Sequence, residues 1–474
     1  MSDVSRPGNS SHPAPGSETV SVRLAAFRVL EEASQGREFA AAILNRWFDA
    51  QNFSPADRRL VSELVYGAIR RQATLDAILA PLIRRPTESV EAPLRTLLRL
   101  GVYQLVFLDS VPNHAAVHET VALAREVGKP RWTGFLNGVL RALSRNLLDA
   151  EPTAPAANAV PIAPGRYRLL KPKTFPDPTA DPRGYLAQAF SLPAWLVDRW
   201  SERMDWDRLT QMAFYFNSPG QLWLRVNSTR TGRDEFLRQL TEAGYAAIAG
   251  PTPSSIALQQ RGRIQEIPGF AEGLFCIQDL TAQRAAELLA PQPGQAVLDL
   301  CASPGTKSTH LAELMQDTGQ IIATDVHADR LRLVRDNADR LGLHIILPQL
   351  IDPETQALPA GPFDRILVDA PCSNTGVLER RPEVRWRLTP NDIGELAELQ
   401  TRLLRAAVAV LKPGGRLVYS TCSIESEENE DVVATVVRGQ ADLQLESQST
   451  AFPGDPTDGG FLAAIRRIEG NPPN

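Results

Sequence analysis

Two of the four cysteines follow apolar stretches that have the composition of buried strands. Cys372 comes after RILVDAP and Cys422 comes after RLVYST. A lone cysteine is most often a small buried apolar residue. In a parallel sheet, however, neighbouring strands end at one edge, so two thiols at such ends can reach one crevice. A thiolate there is a nucleophile, and the pattern therefore predicts a candidate site for covalent catalysis.

A third strand-like stretch, AVLDL, leads into a loop of small residues and then into a helical sequence. The loop sequence is Cys301-Ala302-Ser303-Pro304-Gly305-Thr306-Lys307. N–H groups at a helix start bind anions, although a tight strand-to-helix turn explains the composition equally well. The loop matches neither GxxxxGK[ST] nor GxGxxG, so a P-loop is disfavoured. Asp325 ends the next stretch, QIIATD, where an acid either binds ribose hydroxyls or caps the following helix.

The elements that must position these residues alternate between strand and helix from Ala296 onward. Short runs rich in β-branched residues are separated by amphipathic helical stretches such as ADRLRLVRDNADRLG. This alternation predicts a parallel sheet covered on both faces, in a domain spanning 286–468. Ligands of such folds bind beyond the carboxyl ends of the strands, where the cysteines and Asp325 are predicted to lie.

Four segments with other compositions precede this domain. Residues 1–20 are polar and are expected to form a disordered tail, whereas 21–148 show helical spacing typical of an all-α domain of five to seven helices. Residues 149–190 are rich in proline, which predicts a connector that is extended or packed as a loop. Residues 191–285 mix strand and helix patterns and are predicted to form a small α+β domain.

The composition is that of an ordered, multidomain protein. The chain has 474 residues, of which 43% are hydrophobic and 22% are charged, so global disorder is excluded. No apolar run reaches the ~20 residues of a membrane helix, and no export signal is recognised, so we expect a cytoplasmic protein with reduced thiols. Because the sequence has no CxxC pair and no histidine cluster, no metal site is expected.

The charge is unevenly distributed along the chain. The formal net charge is −5, but residues 21–146 contain 17 Lys+Arg and 12 Asp+Glu, a net of +5, which leaves −10 for the remainder. A basic helical region on an acidic protein indicates a polyanionic partner, although many charge excesses are only solvated surfaces.

Several motifs together resemble the Nop/Sun family of RNA cytosine-C5 methyltransferases. The segments DLCASPGTK, DAPCSNTG and STCSIESEEN carry the resemblance, and RVNSTRT, IQDLTAQ and RRPEVRW extend it. The stretches LRLGVYQLVFLDSVPNHAAVHETVALAR and GFLNGVLRALSR resemble a NusB-like helical RNA-binding domain. This fusion is similar to the members of the family that methylate 16S ribosomal RNA. The resemblance therefore implies a NusB-like domain, a small α+β domain and a Rossmann-like methyltransferase domain that uses S-adenosyl-L-methionine.

The resemblance also implies catalytic roles. Cys422 matches the nucleophile that attacks C6 of cytosine, and Cys372 matches the thiol that assists release of the product. Asp369 is suited to bind the N3/N4 edge of the base. Lys307 either contributes to the positive electrostatic field that activates Cys422, or binds the cofactor or the substrate.

The implied cofactor site includes the loop from Cys301 to Lys307 around the methionine part and Asp325 at the ribose. Asp369 and Asp352 complete the implied set, with Asp352 displaced by about one position from the usual family acid. Ser303 replaces a usual alanine, and Thr306 replaces a usual glycine, where a β-branched residue would be strained if the backbone had positive φ.

RNA contacts are implied along four residues after the DAPCS motif, and a monomer acting on unpaired or partly assembled 16S rRNA is expected. These residues are Arg380, Arg381, Arg385 and Trp386. Two alternatives stay open: the same chemistry on tRNA or another RNA, and a non-catalytic RNA-binding or antitermination factor with a degenerate methyltransferase fold.

Overall fold

The computed structural model describes residues 20–83, 86–259, 263–352, 355, 357–454 and 457–469. These residues form two compact units. One holds the described chain up to Ile69 together with Ile78–Leu147, and the other holds Arg70–Ala77 and the described chain from Leu148. Nearly all of the predicted tail, 1–20, lies outside the described residues. Within the described ranges, no helix is both long and apolar enough to cross a membrane.

The N-terminal region is all-α, as predicted. Its helix α5 is buried along most of its length because it packs against α1, α6 and α7. The seven helices in the described part of this region are α1 (Val22–Ser34), α2 (Ala40–Ala50), α3 (Pro55–Arg70), α4 (Gln72–Ile83), α5 (Ala92–Phe107), α6 (Asn113–Glu126) and α7 (Thr133–Asn146).

The predicted proline-rich connector contains regular structure. A hairpin of β1 (Ala159–Ala163) and β2 (Arg166–Leu169) is followed by helix α8 (Pro182–Ala189). Val160 and Tyr167 are buried, so the hairpin contributes apolar side chains to the core rather than serving as a spacer. Proline fits here because each strand of a two-stranded hairpin has an edge on which no ladder bond is needed.

The middle segment is α+β, in agreement with the sequence. Its four-stranded sheet has the order β4-β5-β3-β6 with antiparallel neighbours. Leu224, Phe236 and Phe275 are fully buried between the sheet and α11. The elements are α9 (Ala194–Ser201), α10 (Trp206–Phe216), β3 (Leu222–Val226), α11 (Arg233–Glu242), β4 (Ala247–Ala249), β5 (Ser255–Leu258) and β6 (Phe275–Ile277).

The C-terminal domain is a seven-stranded sheet with helices on both faces. Its elements are α12 (Leu280–Leu289), β7 (Ala296–Leu300), α13 (Thr306–Leu314), β8 (Gln320–Asp325), α14 (Ala328–Leu341), β9 (Ile346–Leu350), β10 (Phe363–Asp369), α15 (Val384–Arg387), α16 (Pro390–Ala409), β11 (Leu411–Thr421), α17 (Glu430–Val437), β12 (Leu443–Ala451) and β13 (Gly460–Arg467). The strand order is β12-β13-β11-β10-β7-β8-β9. Helices α12, α13 and α14 cover one face, and α16 and α17 cover the other.

Two strands of this sheet depart from the all-parallel prediction. The strands β7 to β11 are parallel, whereas β13 is antiparallel to β11 and β12 is antiparallel to β13. A hairpin needs only a short connection, so the chain adds this antiparallel pair at the edge without another crossover helix. The four strands predicted from sequence are present as β7, β8, β10 and β11.

A buried ion pair joins the middle sheet to the helix that follows the small-residue loop. Arg225 of β3 is fully buried and donates from Nε and Nη2 to the two carboxylate oxygens of Glu313, at 3.0 and 2.7 Å. The same guanidinium donates to the backbone carbonyl of Thr306, at the first position of α13. These bonds satisfy both charges inside the protein.

Removal of one member of this pair is expected to destabilise the protein strongly. Glu313→Gln should lower the free energy of unfolding by about 3 kcal/mol, because it leaves the Arg225 charge buried without its counter-ion. Urea denaturation at pH 7 measures the change. The matched control is Glu235→Gln, which breaks an exposed pair with Arg238 and should cost less than about 0.5 kcal/mol. Equal effects of the two substitutions would contradict the prediction.

Candidate active site

The site is built on two adjacent parallel strands, β10 and β11. They pair with Asp369 opposite Ser420, so the loops that follow them leave the sheet at the same edge. Cys372 lies in the loop after β10 and Cys422 directly follows β11, and their sulfur atoms are 3.0 Å apart. Both residues are half-buried. The prediction that the two thiols reach one crevice is confirmed.

Two further hydrogen bonds cross from one loop to the other. The backbone N–H of Cys422 donates to Cys372 Sγ at 3.3 Å, and the Cys422 thiol donates to Asn374 Oδ1 at 3.2 Å. Asn374 has φ +60, a left-handed conformation that asparagine tolerates better than most residues. Its side-chain amide donates to the carbonyl of Cys372 at 2.7 Å, so it links the two cysteines. Sequence reasoning missed Asn374.

Charged groups give the two thiols different acidities. The pKa of Cys422 is lowered, because Cys372 donates a hydrogen bond to it and because Arg381 and Lys307 place positive charge nearby. The pKa of Cys372 is raised, first by that same bond with Cys422 and then by burial. Cys422 is therefore the thiol of the pair that ionises more readily.

An ion pair stands beside the thiols. Lys307 Nζ lies 2.7 Å from Asp369 Oδ2, and so joins the start of α13 to the end of β10. Burial lowers the pKa of Lys307, but the Asp369 carboxylate more than offsets this, and the net pKa is raised. The lysine is therefore a stable cation at neutral pH.

The small-residue loop turns sharply between β7 and α13. Cys301 and Gly305 have φ values of +60 and +94, whereas Thr306 is the first residue of α13. The loop thus has two left-handed residues, Cys301 and Gly305, and neither is Thr306, which has helical backbone and is not strained. A Cβ on Gly305 would lie 2.9 Å from Val334 Cα, so the loop needs glycine there to pack on α14. Burial raises the pKa of Cys301 to about 12, which makes it a poor nucleophile.

Two acids lie at the carboxyl ends of the next strands. Asp325 ends β8, is buried, and accepts a hydrogen bond from the backbone N–H of His327 at 3.1 Å. Because His327, not Asp325, occupies the N-cap position of α14, the capping alternative is wrong. Asp352 follows β9 at the same edge and is exposed.

A buried acid in β7 went unnoticed in the sequence. Asp299 accepts a hydrogen bond from Ser308 at 2.5 Å, and burial raises its pKa to about 7. The signal was present as an acid inside the apolar run AVLDL.

Two of the four predicted RNA-contact residues form hydrogen bonds or ion pairs with other parts of the protein. Arg385 is 1% exposed and donates to the carbonyls of Ser191, Phe216 and Leu378, so the prediction that it contacts RNA is wrong. Arg380 pairs with Asp458 and Asp279, which leaves its guanidinium little freedom to bind phosphate. 

The other two are at least partly exposed, and Arg381 lies near the thiols. Arg381 is exposed and donates to Asn374 at 2.9 Å, and Trp386 is half-buried in α15. No group of three or more histidine, cysteine or acidic residues in the described chain is arranged to hold a metal ion.

The doubly wound sheet with its antiparallel edge, and the ligand-facing loops at its carboxyl edge, define a Rossmann-like methyltransferase. The comparisons with known proteins agree. Residues 286–459 match the family described as 16S rRNA methyltransferase RsmB/F, residues 20–145 match the NusB family, and residues 192–265 match the ferredoxin-like domain of RsmF/B-like methyltransferases.

Full-length relatives support the same assignment. The chain is 36% identical to the probable ribosomal RNA small subunit methyltransferase B of Synechocystis sp., over 90% of this chain and 91% of that protein. It is 33% identical to the probable ribosomal RNA small subunit methyltransferase B of Bacillus subtilis, over 90% of each. The crystal structure of PH0851 shares the fold, with a TM-score of 0.74, 23% identity, and coverage of 96% of this chain and all of that one. The chain belongs to the RsmB/F family of 16S ribosomal RNA methyltransferases.

Loss of Cys372 is expected to make Cys422 less acidic. In Cys372→Ala the hydrogen bond that lowers the pKa of Cys422 is absent, so its thiolate fraction at pH 7 should fall about tenfold for each pKa unit of increase. Alkylation by iodoacetamide between pH 6 and pH 10, followed by peptide mass spectrometry, measures this. Cys301→Ala is the control and should leave the Cys422 profile unchanged. An unchanged profile in Cys372→Ala would show that the contact between the sulfurs does not set the acidity.

Proposed function

We propose that the protein methylates C5 of a cytosine in 16S rRNA, with S-adenosyl-L-methionine as the methyl donor and a covalent bond between Cys422 and C6 of the base. The observation that carries the proposal is the 3.0 Å contact between two thiols of opposite pKa shift, beside the Lys307–Asp369 ion pair. Membership of the RsmB/F family supports the substrate class.

The need for a thiolate follows from the chemistry of cytosine. C5 of the neutral ring is a weak nucleophile, but addition of a thiolate to C6 forms a C6–S bond and moves electron density to C5 and N3. S-adenosyl-L-methionine, when bound, supplies the methyl group as an electrophile. Loss of the C5 proton and breakage of the C6–S bond then restore the aromatic ring and return Cys422 as a thiolate.

The two cysteines divide this work between them. Cys422 is the nucleophile because its lowered pKa gives it the larger thiolate fraction at neutral pH. Cys372, with its raised pKa, keeps its proton while Cys422 is charged. Its sulfur lies 3.0 Å from Cys422 Sγ. Once Cys422 has become a neutral thioether, its charge no longer opposes ionisation of Cys372. Cys372 then loses its proton to solvent and, as a thiolate, takes the C5 proton of the adduct, while the electrons of the C6–S bond return to Cys422.

Asp369 stabilises the activated base. When the adduct forms, N3 takes up a proton from solvent, and it releases that proton when the ring is restored. The Asp369 carboxylate, held by Lys307, accepts hydrogen bonds from the N4 amino group and from this N3–H. These bonds are stronger when the ring is protonated, so they favour the adduct over the free base.

The residues present fit S-adenosyl-L-methionine. The N-cap of α13 is Gly305, which provides no side-chain cap, so the first N–H groups of the helix can bind the carboxylate of the methionine part. Asp325 presents a buried carboxylate to the ribose hydroxyls, and Asp352 lies at the end of the neighbouring strand. The loop residues Cys301, Ala302, Ser303 and Pro304 would line the ligand between these groups.

The target base must leave its stack to reach Cys422, which costs a few kcal/mol in a duplex and favours an unpaired region of the rRNA. Arg381 can pair with phosphate, and Trp386 can offer a stacking face. The basic helical N-terminal domain would position the rRNA. The same chemistry on tRNA is the second candidate, and the match to relatives that are named for the small ribosomal subunit favours rRNA over it.

Removal of the nucleophile is expected to abolish methylation. Cys422→Ala should lower transfer of labelled methyl groups to unmodified 16S rRNA at least about 10³-fold, because no adduct can form. Bisulfite mapping of the product locates the modified cytosine in the wild type. The matched control is Cys276→Ala, at a buried cysteine of β6 outside the site, which should stay active. Undiminished turnover by Cys422→Ala would refute the assignment, and a non-catalytic factor would show no transfer by the wild type either.

Removal of the second thiol should trap the covalent intermediate instead. In Cys372→Ala the C6–S bond still forms, but release is slow, so denaturing gels of the protein with rRNA and S-adenosyl-L-methionine should show a slow band. The double variant Cys372→Ala/Cys422→Ala controls for other cross-links and should show none. The absence of the band in Cys372→Ala would show that this thiol has no part in release.

A further inference from the structure

The loops that carry Cys372 and Cys422 both form hydrogen bonds with one buried acid, Glu428, which has no role in the proposed mechanism. Each cysteine is followed by a serine, Ser373 and Ser423, and the hydroxyls of both serines donate to Glu428 Oε2. The other oxygen, Oε1, accepts from the backbone N–H of Ser373 at 2.8 Å and from Gln400 at 3.0 Å. Glu428 is fully buried, so these four donors take the place of water around its carboxylate.

The arrangement is asymmetric between the two thiols. Glu428 receives both the backbone N–H and the hydroxyl of Ser373, but only the hydroxyl of Ser423. The carboxylate is therefore bound by two donors of the residue after Cys372 and by one donor of the residue after Cys422.

The other charged groups that face the sulfurs lie elsewhere. Lys307 comes from α13, Asp369 from β10, and Arg381 from the chain after the Cys372 loop. All three act on Cys422: Arg381 and Lys307 lower its pKa, and Asp369 raises it, with a lowered pKa as the net result. Glu428, by contrast, is among the groups that raise the pKa of Cys372.

We propose that Glu428 is a positioning residue that assigns the negative charge to Cys422 by keeping Cys372 protonated. This deepens the proposed function, since it explains which of two touching thiols acts as the nucleophile. A thiolate at Cys372 would face the Glu428 carboxylate, whereas a thiolate at Cys422 faces Arg381 and Lys307.

The pKa directions agree with this geometry. The pKa of Cys372 is raised by its bond with Cys422, by burial and by charge interactions that include the Glu428 carboxylate. Burial raises the pKa of Glu428 itself, while its four donors favour the charged form.

The test measures which cysteine is alkylated in the free protein, so it needs neither RNA nor cofactor. Limiting iodoacetamide at pH 7.5 and peptide mass spectrometry give the ratio of modified Cys422 to modified Cys372. In Glu428→Gln this ratio should fall about tenfold, which corresponds to one pKa unit. The control Glu427→Gln removes the same charge one residue away, from a side chain paired with Arg199, and should leave the ratio unchanged.

Two charge-preserving variants separate an electrostatic role from a purely structural one. Glu428→Asp and the double variant Ser373→Ala/Ser423→Ala weaken the hydrogen bonds but keep the carboxylate, so both should stay selective for Cys422. Loss of selectivity in either would overturn the proposal, even if Glu428→Gln does not fold. A ratio within about twofold of the wild type in folded Glu428→Gln would also overturn it. Failure of wild-type methylation would instead overturn the proposed function alone.

Discussion

The contact between two sulfur atoms, 3.0 Å apart, is the constraint on which the site depends. It exists because β10 and β11 are parallel neighbours in register, so the loops after them emerge side by side. Two thiols at this distance cannot both ionise readily, so in the proposed mechanism one sulfur carries the negative charge while the other keeps its proton. The neighbouring charged groups then determine which sulfur carries the charge.

Small differences in electrostatic energy are enough to determine which of the two thiols ionises. One pKa unit corresponds to about 1.4 kcal/mol, and two full charges near a protein surface interact by up to about 4 kcal/mol at 4 Å. Lys307 and Arg381 lower the pKa of Cys422, and Glu428 is among the groups that raise the pKa of Cys372. In the proposed mechanism, these charges make Cys422 the nucleophile.

Much of this could be predicted from sequence because the relevant signals are local. The runs ending at Leu300, Asp325, Asp369 and Thr421 are short and apolar, and each forms a strand. The cysteine motifs lie at their ends, so strand order alone brought Cys372 and Cys422 together. The antiparallel β12 was missed because its exposed, polar residues lack the apolar run of a buried strand.

The remaining features depend on tertiary contacts that spacing does not encode. The local sequence around Arg385 does not distinguish an arginine that binds phosphate from one that binds backbone carbonyls. Its burial in the fold shows that it binds carbonyls. Glu428 lies in an acidic stretch typical of a solvated surface, and the serine after each cysteine was the one hint that its carboxylate is enclosed. Proline in β1 was compatible with a hairpin because that strand needs ladder bonds on one side only.

The most direct test of the account uses 16S rRNA that contains 5-fluorocytidine. Fluorine at C5 cannot leave as a proton, so the wild-type enzyme should remain joined to the base after methyl transfer. Nuclease and protease digestion followed by mass spectrometry identifies the linked residue. A nucleotide linked to Cys422 is the expected result. A nucleotide linked to Cys372 would contradict the proposed mechanism. So would the absence of any linkage when the same enzyme methylates natural rRNA.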